Sequence, residues 1–208
     1  MFPTSPIIHV GFDEAFGSCW GITKDEALKM QNSFLDTIAN YITEKSQPNP
    51  RMIAHWDDMA ADGYYDPKDG KSKRVYQNWK SASNLKGIFE NSDSAVIVSA
   101  AEYLYFDGGQ SNYLTGMGMN WDSPRKEWKT IYSLTIPDEL MQYNDRILGA
   151  EACLWGEGHD QTNLIQEIFP RLSALGELLW TEPAWRKADP LARLIQHRNM
   201  LVGRGIPA

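Results

Sequence analysis

Short apolar segments alternate along the chain with longer segments in which apolar residues recur at helical spacing. Five short segments are predicted strands, over residues 7–10, 52–56, 74–79, 95–99 and 147–155. They are apolar on both faces, and Ala95-Val96-Ile97-Val98-Ser99 is also rich in β-branched residues. Strands that are apolar on both faces are typical of a parallel sheet that helices cover.

Helices are predicted between these strands. In the first, Thr23 is the N-cap and Glu26 completes a capping box, and the helix continues to about Lys45, where two prolines follow. Further helices are predicted over residues 83–91, 137–143, 162–179 and 189–203, with a kink at Pro170. One long loop is predicted over residues 100–134. Loops of this length often act as lids or binding loops.

Polar or aromatic side chains follow each predicted strand. They are Asp13 and Glu14, Trp56 and Asp57, Trp79, Tyr105 and Asp107, and Trp155 and Glu157. The element order predicts an α/β fold with a parallel sheet, and in a (β/α) barrel the carboxyl ends of such strands share one mouth that holds the chemistry. Because aromatic rings stack on the apolar faces of sugars, this set indicates a sugar site. The alternative, that each tryptophan fills the core, does not explain why all of them lie at the same end of their strands.

Asp13 and Glu14, called the acid pair below, come directly after the first predicted strand and Gly11. Two carboxyl groups at the end of a strand suit general acid and base catalysis on a glycosidic bond. The alternative interpretation is that they merely start a solvated loop, as adjacent acidic residues do on many surfaces.

Length and charge narrow the classes of protein to consider. The 208 residues, of which 42% are hydrophobic, suffice for one domain over residues 1–208. The formal net charge of −7 argues against a nucleic-acid partner and against an anionic membrane. The first residues include no basic segment followed by an apolar one, so no signal peptide is expected and the compartment stays open.

Cysteine and histidine add no second chemistry. Cys19 and Cys153, the two cysteines, are expected to be unpaired with each other. The four histidines show no spacing typical of metal ligands, so neither a metal nor another cofactor is expected.

Several motifs resemble those of glycoside hydrolase family 20, the β-N-acetylhexosaminidases. The segment His9-Val10-Gly11-Phe12-Asp13-Glu14 resembles the family's His-x-Gly-Gly-Asp-Glu, and Tyr105-Phe106-Asp107 resembles its Tyr-Leu-Asp. Residues 149–157, GAEACLWGE, are similar to the family's last-strand motif, and residues 169–180, FPRLSALGELLW, are similar to the helix after it. The likeness extends from about Ile7 to Gly205.

The resemblance implies an exo-acting hydrolase of terminal β-linked N-acetylglucosamine or N-acetylgalactosamine. Glu14 would be the general acid, and Asp13 would orient the 2-acetamido group, which acts as the nucleophile and forms an oxazolinium intermediate with retention of configuration. Tyr105, or Tyr103 if the alignment shifts by two residues, would hydrogen-bond the acetamido oxygen.

The same resemblance implies the residues that bind the sugar. Trp56, Trp79 and Trp155 would form the walls of the pocket, and Asp107 and Glu157 would bind the outer hydroxyls. Trp128 would flank the entrance and meet the next sugar, with simple loop packing as its alternative. The implied partner is an oligosaccharide or glycoconjugate that ends in an N-acetylhexosamine. The resemblance favours a periplasmic, secreted or lysosomal compartment.

Two departures from the family pattern qualify this expectation. Phe12 replaces the second glycine of the motif, which is expected to narrow or reshape the site. In the family, the acid pair follows the fourth barrel strand, so the chain is expected to hold strands four to eight of an incomplete barrel, without the first three strands and the sugar-binding arginine near the first. Since a barrel needs eight strands, a complementing N-terminal half or a second copy is expected to complete the fold.

Three functional hypotheses remain at this stage. The first is the hexosaminidase, with turnover dependent on the rest of the barrel. The second is a non-catalytic sugar-binding remnant that keeps the tryptophan pocket. The third is an inert fragment. A chromogenic assay and binding of an oxazoline-like inhibitor discriminate among them.

Overall fold

A parallel sheet organises the chain, as the sequence predicts. The computed structural model describes residues 4–15, 17–71, 74–109, 124–181 and 189–208, with Glu157 described through its backbone. The strands are β1 (Ile7–His9), β2 (Met52–Trp56), β3 (Arg74–Asn78), β4 (Ala95–Val98) and β5 (Ile147–Ala150). They follow one another in chain order across one five-stranded sheet, and β1 to β4 pair in parallel.

The chain divides into two compact units. Unit 1 comprises residues 1–98 and 138–148, and unit 2 comprises residues 99–137 and 149–208. The helices of unit 1 are α1 (Lys24–Lys45), α2 (Asp58–Ala61) and α3 (Asn84–Asn91), with 3₁₀ helices over Gly17–Trp20 and Asp138–Arg146. The α1 helix buries Leu28, Leu35 and Ala39 against Ile53 of β2 and Met59 of α2. This core fixes the carboxyl ends of β1 and β2.

The capping box of α1 is confirmed. The Glu26 N–H donates to the Thr23 Oγ1 at 3.3 Å, and the Thr23 N–H donates to the Glu26 carboxylate at 2.9 Å. The Thr23 hydroxyl also donates to this carboxylate, at 2.7 Å, and the hydrogen bonds from the Thr23 N–H and hydroxyl lower the pKa of Glu26. The pair satisfies backbone donors that the first helical turn otherwise leaves open.

Replacing Thr23 by alanine is expected to reduce the free energy of unfolding by about 1 kcal/mol, because the cap acceptor is lost. Urea unfolding followed by circular dichroism measures this change. The matched control is Thr37→Ala on the same helix, whose hydroxyl bonds only to the Ser33 oxygen one turn earlier. Equal effects of the two substitutions would show that the cap contributes nothing specific.

Unit 2 is mainly helical. Its helices are α4 (Ala101–Leu104), α5 (Trp128–Tyr132), α6 (Leu164–Ile168), α7 (Arg171–Trp180) and α8 (Leu191–Gly203), with a 3₁₀ helix over Gly156–Gly158. A parallel bridge joins Tyr105 to Cys153, through hydrogen bonds from the Phe106 N–H to the Cys153 oxygen and from the Cys153 N–H to the Leu104 oxygen. This bridge continues parallel pairing beyond the named strands.

Three predictions of local structure are wrong in extent. The strand predicted over 147–155 ends at Ala150, where the φ of Gly149 is already 146°. The helix predicted over 162–179 is two helices, α6 and α7, because Pro170 ends the first rather than kinking one continuous helix. The loop predicted over 100–134 includes α4 and α5, and its residues 110–123 lie outside the described part of the chain.

A buried ionic cluster holds the amino end of β3 in unit 1. Arg74 donates to the carboxylates of Asp66 and Asp36 at 2.6 Å each, and to the Oδ1 and the backbone oxygen of Asn32 at 2.9 and 3.1 Å. The Asp66 Oδ2 accepts a hydrogen bond from the Ser94 hydroxyl at 2.7 Å. Arg74 and Asp66 are buried, whereas Asp36 is more than half exposed. The guanidinium therefore ties α1, β3 and the loop before β3 together.

Candidate active site

The chain turns sharply at the acid pair. The Trp56 N–H of β2 donates to the Gly11 oxygen at 3.0 Å, so the segment after β1 stays beside β2 as far as Gly11. The φ angles of Gly11, Phe12 and Glu14 are 72°, 75° and 52°, in the left-handed region that favours glycine. A non-glycine residue in such a conformation costs about 1–3 kcal/mol. The surrounding contacts must hold this turn in place.

Phe12 packs against α1. Its ring stacks on Phe34, with centroids 5.7 Å apart and planes inclined by 20°. Stacking of this kind contributes about 0.5–1.5 kcal/mol beyond the apolar area buried. The packing thus opposes the backbone strain at the position where the family motif has glycine.

One side chain connects the acid pair to the pocket aromatics. The Asp13 and Glu14 side chains are exposed. The Glu14 N–H donates to the Asp58 Oδ1 at 3.1 Å, and the Trp79 indole N–H donates to the Asp58 Oδ2 at 2.7 Å. The Lys80 ammonium lies 3.3 Å from the Asp58 Oδ1 and 4.0 Å from the centre of the Trp79 ring. Asp58 therefore holds three cationic or N–H donors from two segments.

The aromatic side chains of unit 1 that the sequence assigns to the site lie together. The Trp56 and Trp79 rings pack edge to face, with centroids 6.4 Å apart, and His9 packs edge to face on Trp56 at 5.1 Å. Trp56 is buried and Trp79 is half-buried. Two indoles at the ends of β2 and β3 thus form one aromatic corner beside the acid pair.

Asp57 fixes the segment after β3. Its carboxylate is fully buried and accepts hydrogen bonds from the backbone N–H groups of Trp79 and Lys80 and from the side-chain amides of Asn78 and Asn84. Burial raises the pKa of Asp57, and these hydrogen bonds oppose the rise. The four donors hold Trp79 at a defined place relative to β2.

His55 lies on β2 between Ala54 and Trp56, with its ring fully buried. Its Nδ1 lies 2.9 Å from the Trp56 oxygen, and its Nε2 has no hydrogen-bond partner among the described residues. Burial lowers the pKa of His55 from its ordinary value of 6.5 to about 4, although the nearby Asp66 carboxylate opposes the shift.

The free energy of unfolding is expected to fall as the pH drops from 6.5 towards 4, because the unfolded chain takes up a proton on His55 in this window and the native chain does not. The slope from this residue reaches up to about 1.4 kcal/mol per pH unit. Urea unfolding at a series of pH values measures it, and His55→Asn removes this titrating group while other groups keep theirs. The same slope in both proteins would contradict a buried neutral histidine.

In unit 2, Tyr105 and Trp155 lie beside each other. Their ring centroids are 6.3 Å apart, and Tyr105 is buried whereas Trp155 is 39% exposed. Burial raises the pKa of Tyr105, and the neighbouring Cys153 adds to the rise. The phenol is therefore a neutral O–H donor over the whole accessible pH range. Burial likewise raises the pKa of the Cys153 thiol to about 12, so this thiol is not a nucleophile at neutral pH.

Arg171 of α7 holds the segment around Asp107. Its guanidinium donates to the backbone oxygens of Phe106 at 2.8 Å and of Lys126 at 3.2 Å, and it lies over the Phe106 ring at 4.5 Å. Burial, and to a smaller extent the nearby Arg125, lower the pKa of Arg171 to about 10, although the Glu167 and Asp107 carboxylates oppose the shift. The hydrogen bond from Arg171 to the Phe106 backbone thus holds the buried Asp107, the next residue, close to Tyr105.

The remaining predicted site residues differ in how the structure presents them. Trp128 begins α5 rather than lying in a loop, and it is half-buried. Tyr103 lies within α4 and is half-buried, whereas Tyr105 is buried against Trp155. The choice between the two tyrosines stays a prediction. The backbone of Glu157 lies in a 3₁₀ helix, and its side chain is not among the parts of the chain that the structure describes.

Sequence reasoning missed Asp58, Lys80 and Arg171 as parts of the site. Asp58 and Lys80 each lie one residue beyond a residue that the strand-end pattern selects, so a wider window at each strand end would have included them. Arg171 lies within a motif that carried the family likeness. Its role depends on backbone oxygens far along the chain, which no local pattern reports.

Other sites are not prominent in the described residues. The Cys19 and Cys153 thiols are unbridged, and no group of three or more potential ligands for a metal ion occurs in the ranges described. No described helix combines the length and the apolar character needed to cross a membrane. A cavity of about 760 Å³ in unit 1 is lined by residues at the amino ends of β1 and β2 and at the end of α1, so it is not at the acid pair.

Comparison with known proteins identifies relatives across the whole chain. The profile of "Glycosyl hydrolase family 20, catalytic domain" matches residues 1–183. A chitooligosaccharidolytic β-N-acetylglucosaminidase of Ostrinia furnacalis is 31% identical over 226 residues, and β-hexosaminidase subunit beta of Sus scrofa is 32% identical over 224 residues. Each match covers 100% of this chain and 38% of the relative.

Solved structures give the same result for the fold. The crystal structure of a family 20 exo-β-N-acetylglucosaminidase of Vibrio harveyi, in complex with N-acetylglucosamine, matches with a TM-score of 0.67 at 21% identity. The match covers 98% of this chain and 33% of that chain. The chain therefore has the fold of the corresponding part of a (β/α)8 barrel, as the sequence predicts.

Proposed function

The chain belongs to glycosyl hydrolase family 20, and on this premise we propose that it is part of an exo-β-N-acetylhexosaminidase. The substrate is a terminal β-linked N-acetylglucosamine or N-acetylgalactosamine of an oligosaccharide or glycoconjugate. The chain spans 38% of the length of the two curated relatives above. We therefore extend the proposal to a requirement for further barrel strands, supplied by a complementing segment or a second copy.

The proposed reaction uses the substrate's own acetamido group. The acetamido oxygen attacks the anomeric carbon, the glycosidic C–O bond breaks, and Glu14 transfers its proton to the leaving oxygen. The Asp13 carboxylate accepts a hydrogen bond from the acetamido N–H and stabilises the positive charge that develops on the oxazolinium ion. Water then opens this ion at the anomeric carbon, with the Glu14 carboxylate taking the proton, so that the configuration is retained.

The other site residues have binding roles in this proposal. Tyr105 donates a hydrogen bond from its hydroxyl group to the acetamido oxygen, and its raised pKa supports this role because it keeps the hydroxyl protonated. Trp56, Trp79 and Trp155 enclose the acetamido methyl and the sugar face. Asp107 and Glu157 bind outer hydroxyls, and Trp128 meets the next sugar.

One observation carries the proposal. The backbone of Glu14 and the indole of Trp79 bind the same carboxylate, Asp58, and the Trp56 ring packs on Trp79. An exposed acid is thereby held beside an aromatic corner, which supports a proton donor next to an apolar wall for a sugar.

The test is an assay with nitrophenyl β-N-acetylglucosaminide and its galactosaminide, combined with proton NMR of the first product. Hydrolysis that releases the β-anomer first supports the proposal, and release of the α-anomer first contradicts retention. No hydrolysis, with retained binding of an oxazoline-like inhibitor, supports a non-catalytic sugar-binding protein. The proposal is rejected if hydrolysis and inhibitor binding are both absent, with this chain alone and also with the remaining barrel supplied.

A further inference from the structure

Asp58 satisfies two N–H donors that come from distant parts of unit 1. The Glu14 N–H and the Trp79 indole N–H lie 44 and 21 residues away along the chain, and they bind different oxygens of its carboxylate. The Asp58 side chain is only 15% exposed. The Trp79 hydrogen bond is partly buried, where a charged acceptor strengthens it, whereas the Glu14 hydrogen bond is exposed.

The Glu14 contact acts on a strained backbone. Phe12 and Glu14 both have positive φ, so the turn after β1 is strained. The hydrogen bond from the Glu14 N–H to Asp58 helps to hold the turn in this conformation. It therefore contributes to the direction in which the Glu14 carboxyl group leaves the backbone.

The Trp79 contact acts on a side chain. An indole has one N–H group, and the indole N–H of Trp79 donates to the Asp58 Oδ2 at 2.7 Å. Lys80 is placed over the face of the same ring and against Asp58, so it balances the charge of the carboxylate. Asp57 holds the Trp79 backbone separately. The ring orientation thus depends on Asp58, and the chain position depends on Asp57.

We propose that Asp58 is a positioning residue that couples the orientation of the Glu14 backbone to the orientation of the Trp79 indole. It touches neither substrate nor reacting atoms. It fixes the orientation of Glu14, the proton donor, relative to the Trp79 indole, one wall of the pocket. A change in either hydrogen bond therefore alters both groups. The consequence for turnover rests on the proposed function, whereas the coupling itself does not.

Asp58→Asn is the substitution that separates the two contacts. The amide is nearly the same size as the carboxylate, but it keeps one acceptor oxygen and presents N–H donors in place of the other. One of the two N–H groups then faces a donor and loses its partner. Asp62→Asn is the matched control, because Asp62 lies at the end of the same short helix α2 and its exposed carboxylate pairs with Lys24.

NMR of the wild-type chain and its variants tests the coupling without any assay of activity. Trp79→Phe identifies the indole N–H signal of Trp79. In Asp58→Asn, this proton is expected to exchange with solvent roughly tenfold faster or more, and the Glu14 amide signal is expected to shift. Asp62→Asn is expected to leave both signals unchanged, and Lys80→Met to leave the exchange rate within about twofold of wild type. A wild-type value of either signal in Asp58→Asn would overturn the proposal, because coupling requires both to change.

Kinetics test the consequence in the form of the protein that hydrolyses the chromogenic substrate. Asp58→Asn is expected to lower kcat roughly 10- to 100-fold, with a smaller change in KM, at a temperature where circular dichroism shows a folded variant. A wild-type kcat in a variant with altered NMR signals would reject the role in turnover. An inactive wild-type protein counts against the proposed function, and the NMR result still decides the coupling.

Discussion

Replacing Arg74 by methionine is expected to reduce the free energy of unfolding by about 3–5 kcal/mol. Methionine keeps an unbranched apolar stem like that of arginine, but it is shorter and removes the charge and every donor. The Asp66 carboxylate then stays buried with the Ser94 hydroxyl and loses its cationic partner at 2.6 Å. A buried charge without a partner is among the costliest changes in a protein interior.

The loss reaches beyond one ion pair because Arg74 serves three segments. Its other donors bind Asn32 and Asp36 of α1, so their removal frees part of α1 from β3. Urea unfolding at neutral pH measures the effect. The matched control is Asp36→Asn, which removes the exposed partner of the same guanidinium and is expected to cost less than about 1 kcal/mol. A change below about 1 kcal/mol in Arg74→Met would show that the cluster does not stabilise the fold.

Glu14→Gln is expected to lower kcat for a nitrophenyl β-N-acetylglucosaminide by about 10²- to 10⁴-fold. Glutamine has nearly the same shape but provides no acidic proton for the leaving oxygen. The main-chain contact from position 14 to Asp58 is kept, because the backbone N–H makes it. The result follows from the proposed role of Glu14 as general acid, and it applies to the form of the protein that turns over this substrate.

Two comparisons make the Glu14 result specific. A dinitrophenyl glycoside needs less protonation of its leaving group, so its loss in Glu14→Gln is expected to be smaller than the loss with a disaccharide. Glu44 is an exposed glutamate that pairs with Lys45 on α1. Glu44→Gln is expected to leave kcat unchanged for both substrates. Equal losses for both leaving groups would indicate that Glu14 acts in binding rather than as the acid.

Features that depend on neighbours in sequence are well predicted. The α1 helix has its predicted capping box, since Thr23 and Glu26 interact within one helical turn. The β2 strand has the predicted limits, and β1, β3 and β4 each end one residue earlier than predicted. The prediction is wrong in length at β5, which ends at Ala150, where Gly149 has a φ of 146° that strands of other residues do not adopt.

The candidate site divides in the same way. Strand-end positions and motifs select the acid pair, the tryptophans and Tyr105 from sequence, and their catalytic and binding roles stay predictions. The supporting contacts are different in kind. Asp58 next to Trp79, and Arg171 at the Phe106 oxygen, join residues that are 21 and 65 positions apart. A residue pattern along one segment contains no information on such pairs.

The sequence by itself determined the α/β fold, the strands of the parallel sheet and the family, because periodicity, capping and motif spacing act over short stretches of chain. The tertiary structure alone decided which groups hold the site. The left-handed turn at Phe12 and Glu14 is held by the Phe34 ring and the Asp58 carboxylate. Burial, which lowers the pKa of His55 and raises that of Tyr105, is likewise a property of the packed chain. The physical reason is that desolvation and hydrogen-bond geometry depend on distances through space, which exist only once the segments have packed.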